Sequence, residues 1–289
     1  LVEGCCAGLR CDTHEDGLLV ILKCADRDAD RLLSLLGWML IDPHLEPNQV
    51  TLERDLSLQA LQRQREDPFH LAFDGWRNMA YGTGPYGHDP LGLSEDLKQL
   101  EREQLLSLVE SLTTNSPVLA LSGNLPEDLE QSLGTMESFQ RWPAQPTQPA
   151  LKSNSSVAYA ENSLNKSNLS LQSEPTTQVV MMLGQPTISH GHEDDLALRL
   201  LNCHLGLGMS SLLFRRLREE HGVAYDVGIH HPVREGAAPF VLHASTSEEK
   251  ARLTLQLLLD SWRELSQQPL SEEDVALARA KFHGQLAHG

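Results

Sequence analysis

The sequence predicts an α+β protein built from two homologous α/β-sandwich halves, and three observations predict it. Residues 45–61, LEPNQVTLERDLSLQAL, match residues 270–286, LSEEDVALARAKFHGQL. In that match Val50 faces Val275, Leu52 faces Leu277, Arg54 faces Arg279 and Leu61 faces Leu286. Upstream, VILKCADRDADRLLSLLGWML resembles FVLHASTSEEKARLTLQLLLDSW, so each copy reads strand, helix, short loop, helix. Between the copies, RWPAQPTQPALKSNSS has the composition of a linker. The expected organisation is a first half over residues 1–140, a linker over 141–156 and a second half over 157–289.

The elements follow in order. Residues 17–25 predict a strand and 27–41 a helix, whose rows Leu32, Leu36, Met39 and Leu33, Leu40 have core-face spacing. A second helix is expected from Pro47, which fits a first helical position, to about Glu66. Another covers about 69–80. The Gly- and Pro-rich loop YGTGPYGHDPLG, residues 81–92, should be irregular. Ser94 begins a further helical region, with one segment near Glu101–Ser111. Val118–Ser122 predicts a strand and Glu127 to about Met136 a helix. In the second half, strands are expected near 157–160, 167–172 and 177–183, and a helix over Asp194–His204 with Leu196, Leu200 and Cys203 on one face. Ser271 with Asp274 fits a helix cap before the last helix.

Comparing the copies exposes what each lacks. The second has a long segment before its strand at Phe240, whereas the first has sixteen residues before Gly17; the first continues well beyond Leu61. By that comparison roughly 60–70 residues are expected beyond each end, in a protein of about 420 residues.

Composition narrows the function classes. A net charge of −17 argues against nucleic acid or an anionic membrane surface as partner. No apolar run reaches the roughly 20 residues that span a bilayer, and Leu32–Ile41 suits a buried helix. Five cysteines, an odd count, do not form a disulfide framework, and no second cluster gives them a zinc spacing. The compartment stays open between cytoplasm and periplasm for a soluble chain.

The most informative stretch is Leu205–Gly228, LGLGMSSLLFRRLREEHGVAYDVG. It predicts a glycine-hinged loop, a short helix over Ser211 to about His221, a left-handed stop at Gly222, and a strand over Val223–Ile229. Arg218 then sits in the last helical turn and Tyr225 on the strand. A guanidinium and a phenol at such a corner can hydrogen-bond a peptide carbonyl in one cleft. In most proteins, an Arg so placed serves the helix dipole and a strand Tyr serves the core.

This stretch resembles the C-terminal half of the pitrilysin/insulinase-type zinc peptidases, which include the mitochondrial processing peptidase and its bacterial homologues. Their pattern, LGxGMSSxLFxxLRExxGxxY, is matched here by LGLGMSSLLFRRLREEHGVAY. The resemblance implies that Arg218 and Tyr225 bind the substrate backbone beside the scissile bond. It also implies a zinc site with two His from an HxxEH motif, expected N-terminal to the residues here, and a distal Glu. Active members read ERxxxxxE in the helix after Pro47, with the second Glu as ligand. Here the segment is ERDLSLQA, with Glu53 in the first position and Ala60 at the ligand position; the later Glu66-Asp67-Pro68 fixes the register. None of the thirteen His lies in HxxEH. His190 and His192, in SHGHEDD, fall where the family varies.

The reading is therefore a non-catalytic, substrate-binding subunit of a heterodimeric zinc endopeptidase acting on peptides, with no metal of its own. Zinc is expected in a homologous partner subunit. Two alternatives stand beside it: a structural core-type subunit without a peptidase role, and an active zinc peptidase whose HxxEH lies outside these residues.

Overall fold

The computed structural model describes residues 1–114, 117–125, 128–141 and 169–288. All of the expected linker beyond Arg141, and the strand at 157–160, lie outside the described residues. The chain groups into two compact units, one of residues 1–61 and 90–155, the other of residues 62–89 and 156–289. The fold is mixed helix and sheet, as expected.

In the first unit, β1 (Gly8–His14) and β2 (Gly17–Lys23) form an antiparallel hairpin with Gly17 opposite His14. A single 3-10 turn, Asp26–Asp28, leads into α1 (Ala29–Ile41). Leu32, Leu33 and Leu36 of α1 are buried as their spacing predicts, whereas Met39 is exposed. Helix α2 (Pro47–Gln64) opens with Pro47 at its first position, where a missing N–H costs nothing. Next in the chain comes α3 (Pro68–Tyr81), which belongs to the second unit, and then, back in the first, α4 (Ser94–Gln99), α5 (Arg102–Thr114), α6 (Leu129–Thr135) and α7 (Glu137–Gln140). Helix α7 lies so close to α1 that a Cβ on Gly37 would stand 2.5 Å from Ser138 Oγ. Arg141 stacks over Trp38 at 4.7 Å, and Arg102 Nε donates to Leu45 O at 2.8 Å.

In the second unit, β3 (Gln178–Pro186), β4 (Asp226–His230) and β5 (Pro239–Ser247) form an antiparallel sheet in the order β3-β5-β4. Alternate residues of β5 serve opposite layers. Phe240, Leu242 and Ala244 join a core with Leu258 of α9 (Ala251–Gln267). Val241 packs with Phe73 and Trp76 of α3 on the other face. Helices α8 (Asp195–Gly206) and α10 (Glu272–His288) pack together, and Lys281 Nζ donates to Leu207 O at 2.8 Å. The cap expected before α10 is present: Asp274 N–H donates to Ser271 Oγ at 3.1 Å. Both repeat blocks are helical where they match, in α2 and in α10.

Several expectations are corrected. Val118–Ser122 is not a strand; Val118 is 92% exposed, and an apolar run without a neighbouring strand to bond forms no ladder. Leu169–Gln172, the described part of the strand expected near 167–172, is likewise not in a sheet. Strand β1 was not expected. Leu196 is exposed rather than on the buried face of α8 with Cys203.

The α3 face of the sheet holds histidines among aromatic rings. Phe73 meets His230 at 4.5 Å and Phe69 meets His243 at 5.0 Å, both edge to face. His230 Nε2 is buried without a hydrogen-bond partner. Burial pushes the His230 pKa down to about 4, with Arg234, His243 and Arg77 pushing the same way. The unfolded chain binds that proton near pH 6.5, so stability is full above about 6.5 and falls as pH drops toward 4, by up to about 3 kcal/mol. Burial also lowers His231 and His243, which adds to the trend. Urea midpoints at pH 7 and pH 4.5 should therefore differ clearly in the wild type and less in His230→Leu. An equal drop in both proteins would contradict this account.

Candidate functional site

The loop and turn after α8 carry the residues singled out by sequence. Gly206 ends α8 so close to β4 that a Cβ there would stand 2.9 Å from Ile229 N. Gly208 adopts φ +74°, a conformation open to glycine, and turns the chain into Ser211, which is buried. Phe214–Glu220 then forms a helix of π type, not the α-helix expected over Ser211–His221. Leu213 and Leu217 point into the core while Arg216 is tied to α9, its Nη1 donating to Ser261 Oγ at 2.9 Å and its Nη2 to Glu264 at 2.6 Å. Wide π turns are rare and gather at functional sites.

Gly222 takes the left-handed stop predicted for it, at φ +58°. The N–H groups of Val223 and Ala224 then both reach back to Leu217 O, at 2.8 and 3.3 Å. Because these two residues close the helix end, the strand begins later than expected, at Asp226 rather than Val223. Tyr225 is the hinge between the two, its N–H donating to Ser245 O at 2.8 Å. Support comes from residues that sequence spacing gave no reason to choose. Thr246 Oγ1 donates to Val223 O, and Lys250 Nζ donates to Gly222 O at 2.8 Å.

Arg218 and Tyr225 are brought together at this corner. Arg218 Nη1 donates to the Tyr225 carbonyl at 3.2 Å, and its guanidinium lies 5.1 Å from the centre of the Phe214 ring. Tyr225 is 59% exposed, so its ring is not a core element. The Arg218 bond goes to Tyr225 and not to a carbonyl of its own helix. Arg218 and Tyr225 are both exposed, so the pair stands on the surface of this unit. An exposed guanidinium beside an exposed phenol suits an extended chain better than an enclosed small molecule.

The described residues do not fit the family's zinc site. Ala60 lies half-buried in α2 and offers no donor atom, while Glu53 and Glu66 are exposed. Among the described residues, one group of three brings metal-ligating atoms within 4.8 Å of one another: His192, Glu193 and Asp194, all exposed. His192 Nδ1 already accepts the Asp194 N–H at 3.1 Å. His190 Nδ1 lies 2.9 Å from Asp195 Oδ2 and 2.7 Å from Arg199 Nη2, and a guanidinium in that position repels a cation. Burial alone would raise the Asp195 pKa; hydrogen bonds from Arg199, His190 and Gly191 N–H overcome it and hold the carboxyl at about 2. These acidic and imidazole groups serve the start of α8.

Fold and corner define an α+β domain of the pitrilysin type. Residues 99–282 match the family described as the peptidase M16 inactive domain, and the chain belongs to that family. Similar proteins include an uncharacterized zinc protease of Mycobacterium bovis, 24% identical over 268 residues, covering 91% of this chain and 59% of the relative. Another is the uncharacterized zinc protease YmxG of Bacillus subtilis, 21% identical over 269 residues, covering 91% and 62%. The chain thus spans about three fifths of the length of these curated relatives. Among solved structures, a peptidase M16 inactive domain from Pseudomonas fluorescens matches with TM-score 0.80 and 22% identity, over 98% of this chain and 67% of that one. A chain of complex III2 from Candida albicans matches with TM-score 0.73 and 15% identity, over 98% and 68%. These structural likenesses concern the fold. No helix among the described residues is long and apolar enough to cross a membrane.

Proposed function

We propose that this chain is the non-catalytic, substrate-binding subunit of a heterodimeric zinc endopeptidase that acts on peptides. The observation that carries the reading is the joining of Arg218 and Tyr225 on open surface, in a segment whose sequence follows the family's substrate-binding pattern. Arg218 presents its remaining guanidinium N–H groups, and Tyr225 its hydroxyl, to a carbonyl of an extended peptide. The π turn, anchored through Arg216 and Leu217, and the Arg218 bond to the Tyr225 carbonyl hold the backbone that carries both donors, so less ordering remains to be done on binding. Zinc, held by a homologous partner subunit, polarises the scissile carbonyl and activates water. Ala60 at the ligand position supports this division of labour.

Zinc analysis of the intact chain, purified without chelators, tests the reading. The expected content is far below one zinc per chain. One tightly held zinc per chain, lost on Glu53→Ala or Glu66→Ala, would show that a different glutamate serves as ligand and that the chain is itself a zinc peptidase, as the names of its relatives suggest.

A second reading, a structural subunit without a peptidase role, is favoured by the likeness to a chain of complex III2. It assigns no work to Arg218 and Tyr225, and substitution of that pair separates the two readings.

A further inference from the structure

A cavity of about 170 Å³ lies in the second unit and shares no residue with the Arg218–Tyr225 corner. Three stretches of chain build it. Asp195, Arg199 and Asn202 come from one face of α8, at the i, i+4, i+7 spacing of a helical stripe. The loop between β4 and β5 supplies His231, Val233 and Arg234, and α10 adds Phe282. The walls are tied in place. His190 N–H donates to Arg234 O at 2.8 Å, and His231 Nδ1 donates to Pro239 O at 2.9 Å. Among the described residues that line the cavity, Asp195 is the only carboxylate, and it already accepts from Arg199 Nε at 3.0 Å and Gly191 N–H at 3.3 Å. Two guanidinium groups, Arg199 and Arg234, therefore leave one positive charge over when the imidazoles are neutral. Burial lowers the His231 pKa and keeps that ring neutral. The sign of the cavity is opposite to the chain's net charge of −17.

We propose that this cavity binds a carboxylate carrying a small apolar group, as a free short-chain acid or as the C-terminal residue of a peptide. The surplus charge, set in a concave site, selects an anion. Among the described residues, Arg199 is bonded through Nε and Nη2, which leaves its Nη1 N–H groups for a ligand. A planar guanidinium matches a carboxylate. One surplus charge suits a monoanion better than a phosphate group, which carries about two charges at pH 7. Phe282 and Val233 make part of the lining apolar, and that part receives hydrocarbon. The volume lies below the roughly 300–1,000 Å³ of pockets that enclose drug-sized ligands, so the occupant is small or is the end of a chain. This inference uses neither Arg218 nor Tyr225 and stands apart from the peptide-binding reading.

Ligand-observed NMR on the intact chain tests it, with isovalerate and N-acetyl-glycyl-leucine as probes and their amides as controls. At least one acid should bind saturably and its amide should not; which acid binds tells the free source from the peptide source. Arg199→Gln and Arg234→Gln should each weaken that binding by about tenfold or more. Arg218→Ala should leave it unchanged, and inorganic phosphate at equal concentration should not displace the acid. The proposal is overturned if neither acid binds saturably, if an amide binds as well as its acid, or if phosphate competes equally. It is also overturned if neither Gln variant weakens binding, or if Arg218→Ala abolishes it. Should Arg199→Gln fail to fold for want of its bond to Asp195, Arg234→Gln in the loop gives the same reading.

Discussion

Arg218→Ala together with Tyr225→Phe is expected to lower peptide cleavage by roughly 10²-fold or more, measured with the intact chain and its zinc-bearing partner. A hydrogen bond from a charged donor contributes about 1.5–3 kcal/mol and one from a phenol about 1 kcal/mol, so Arg218→Ala alone should have the larger effect. Both side chains are exposed, and the fold loses the Arg218 bond to the Tyr225 carbonyl and its contact with the Phe214 ring. Melting temperature and subunit association should therefore stay near wild type, as for most surface substitutions. Unchanged cleavage would make the pair structural and bring the complex-subunit reading forward. Loss of folding in both variants would mean that Arg218 caps the turn and Tyr225 packs the core after all.

Leu258→Ala is expected to have the largest effect on stability. Leu258 is fully buried between α9 and the sheet, beside Phe240 and Leu242. Its truncation removes apolar burial and leaves a cavity, at a cost of about 2–5 kcal/mol. The urea midpoint should fall sharply with little change in slope. A shift equivalent to less than about 1 kcal/mol would mean that this core collapses around the gap or that α9 is loosely packed.

Much of this was legible in the sequence because repetition and local rules carried it. The repeat placed β2, α1 and α2, and β5, α9 and α10, since the same apolar spacing recurs in both copies. Pro47, Ser271 and Gly222 marked helix ends because each supplies something particular: a missing N–H, a capping oxygen, a left-handed residue. What was not legible depends on partners distant in sequence. The run at Val118 has strand composition but no ladder neighbour among the described residues, and composition cannot supply one. The π turn arises because Leu213 and Leu217 must reach the core while Arg216 must reach Ser261 and Glu264. No spacing rule in FRRLREE announces that. The site pair itself came from the long motif, since an Arg and a Tyr seven residues apart would not have singled out this corner. The exposure of Tyr225 and the bond from Arg218 are structural additions.

In the proposed function this chain supplies substrate contacts to a metal site on another subunit. The most direct test of that role is titration of the intact chain into a fixed amount of the zinc-bearing partner, with peptide cleavage as the readout. The account predicts negligible cleavage by either protein alone and a rise that saturates at one chain per partner. Cleavage by the intact chain alone, or full activity of the partner without it, would contradict the account.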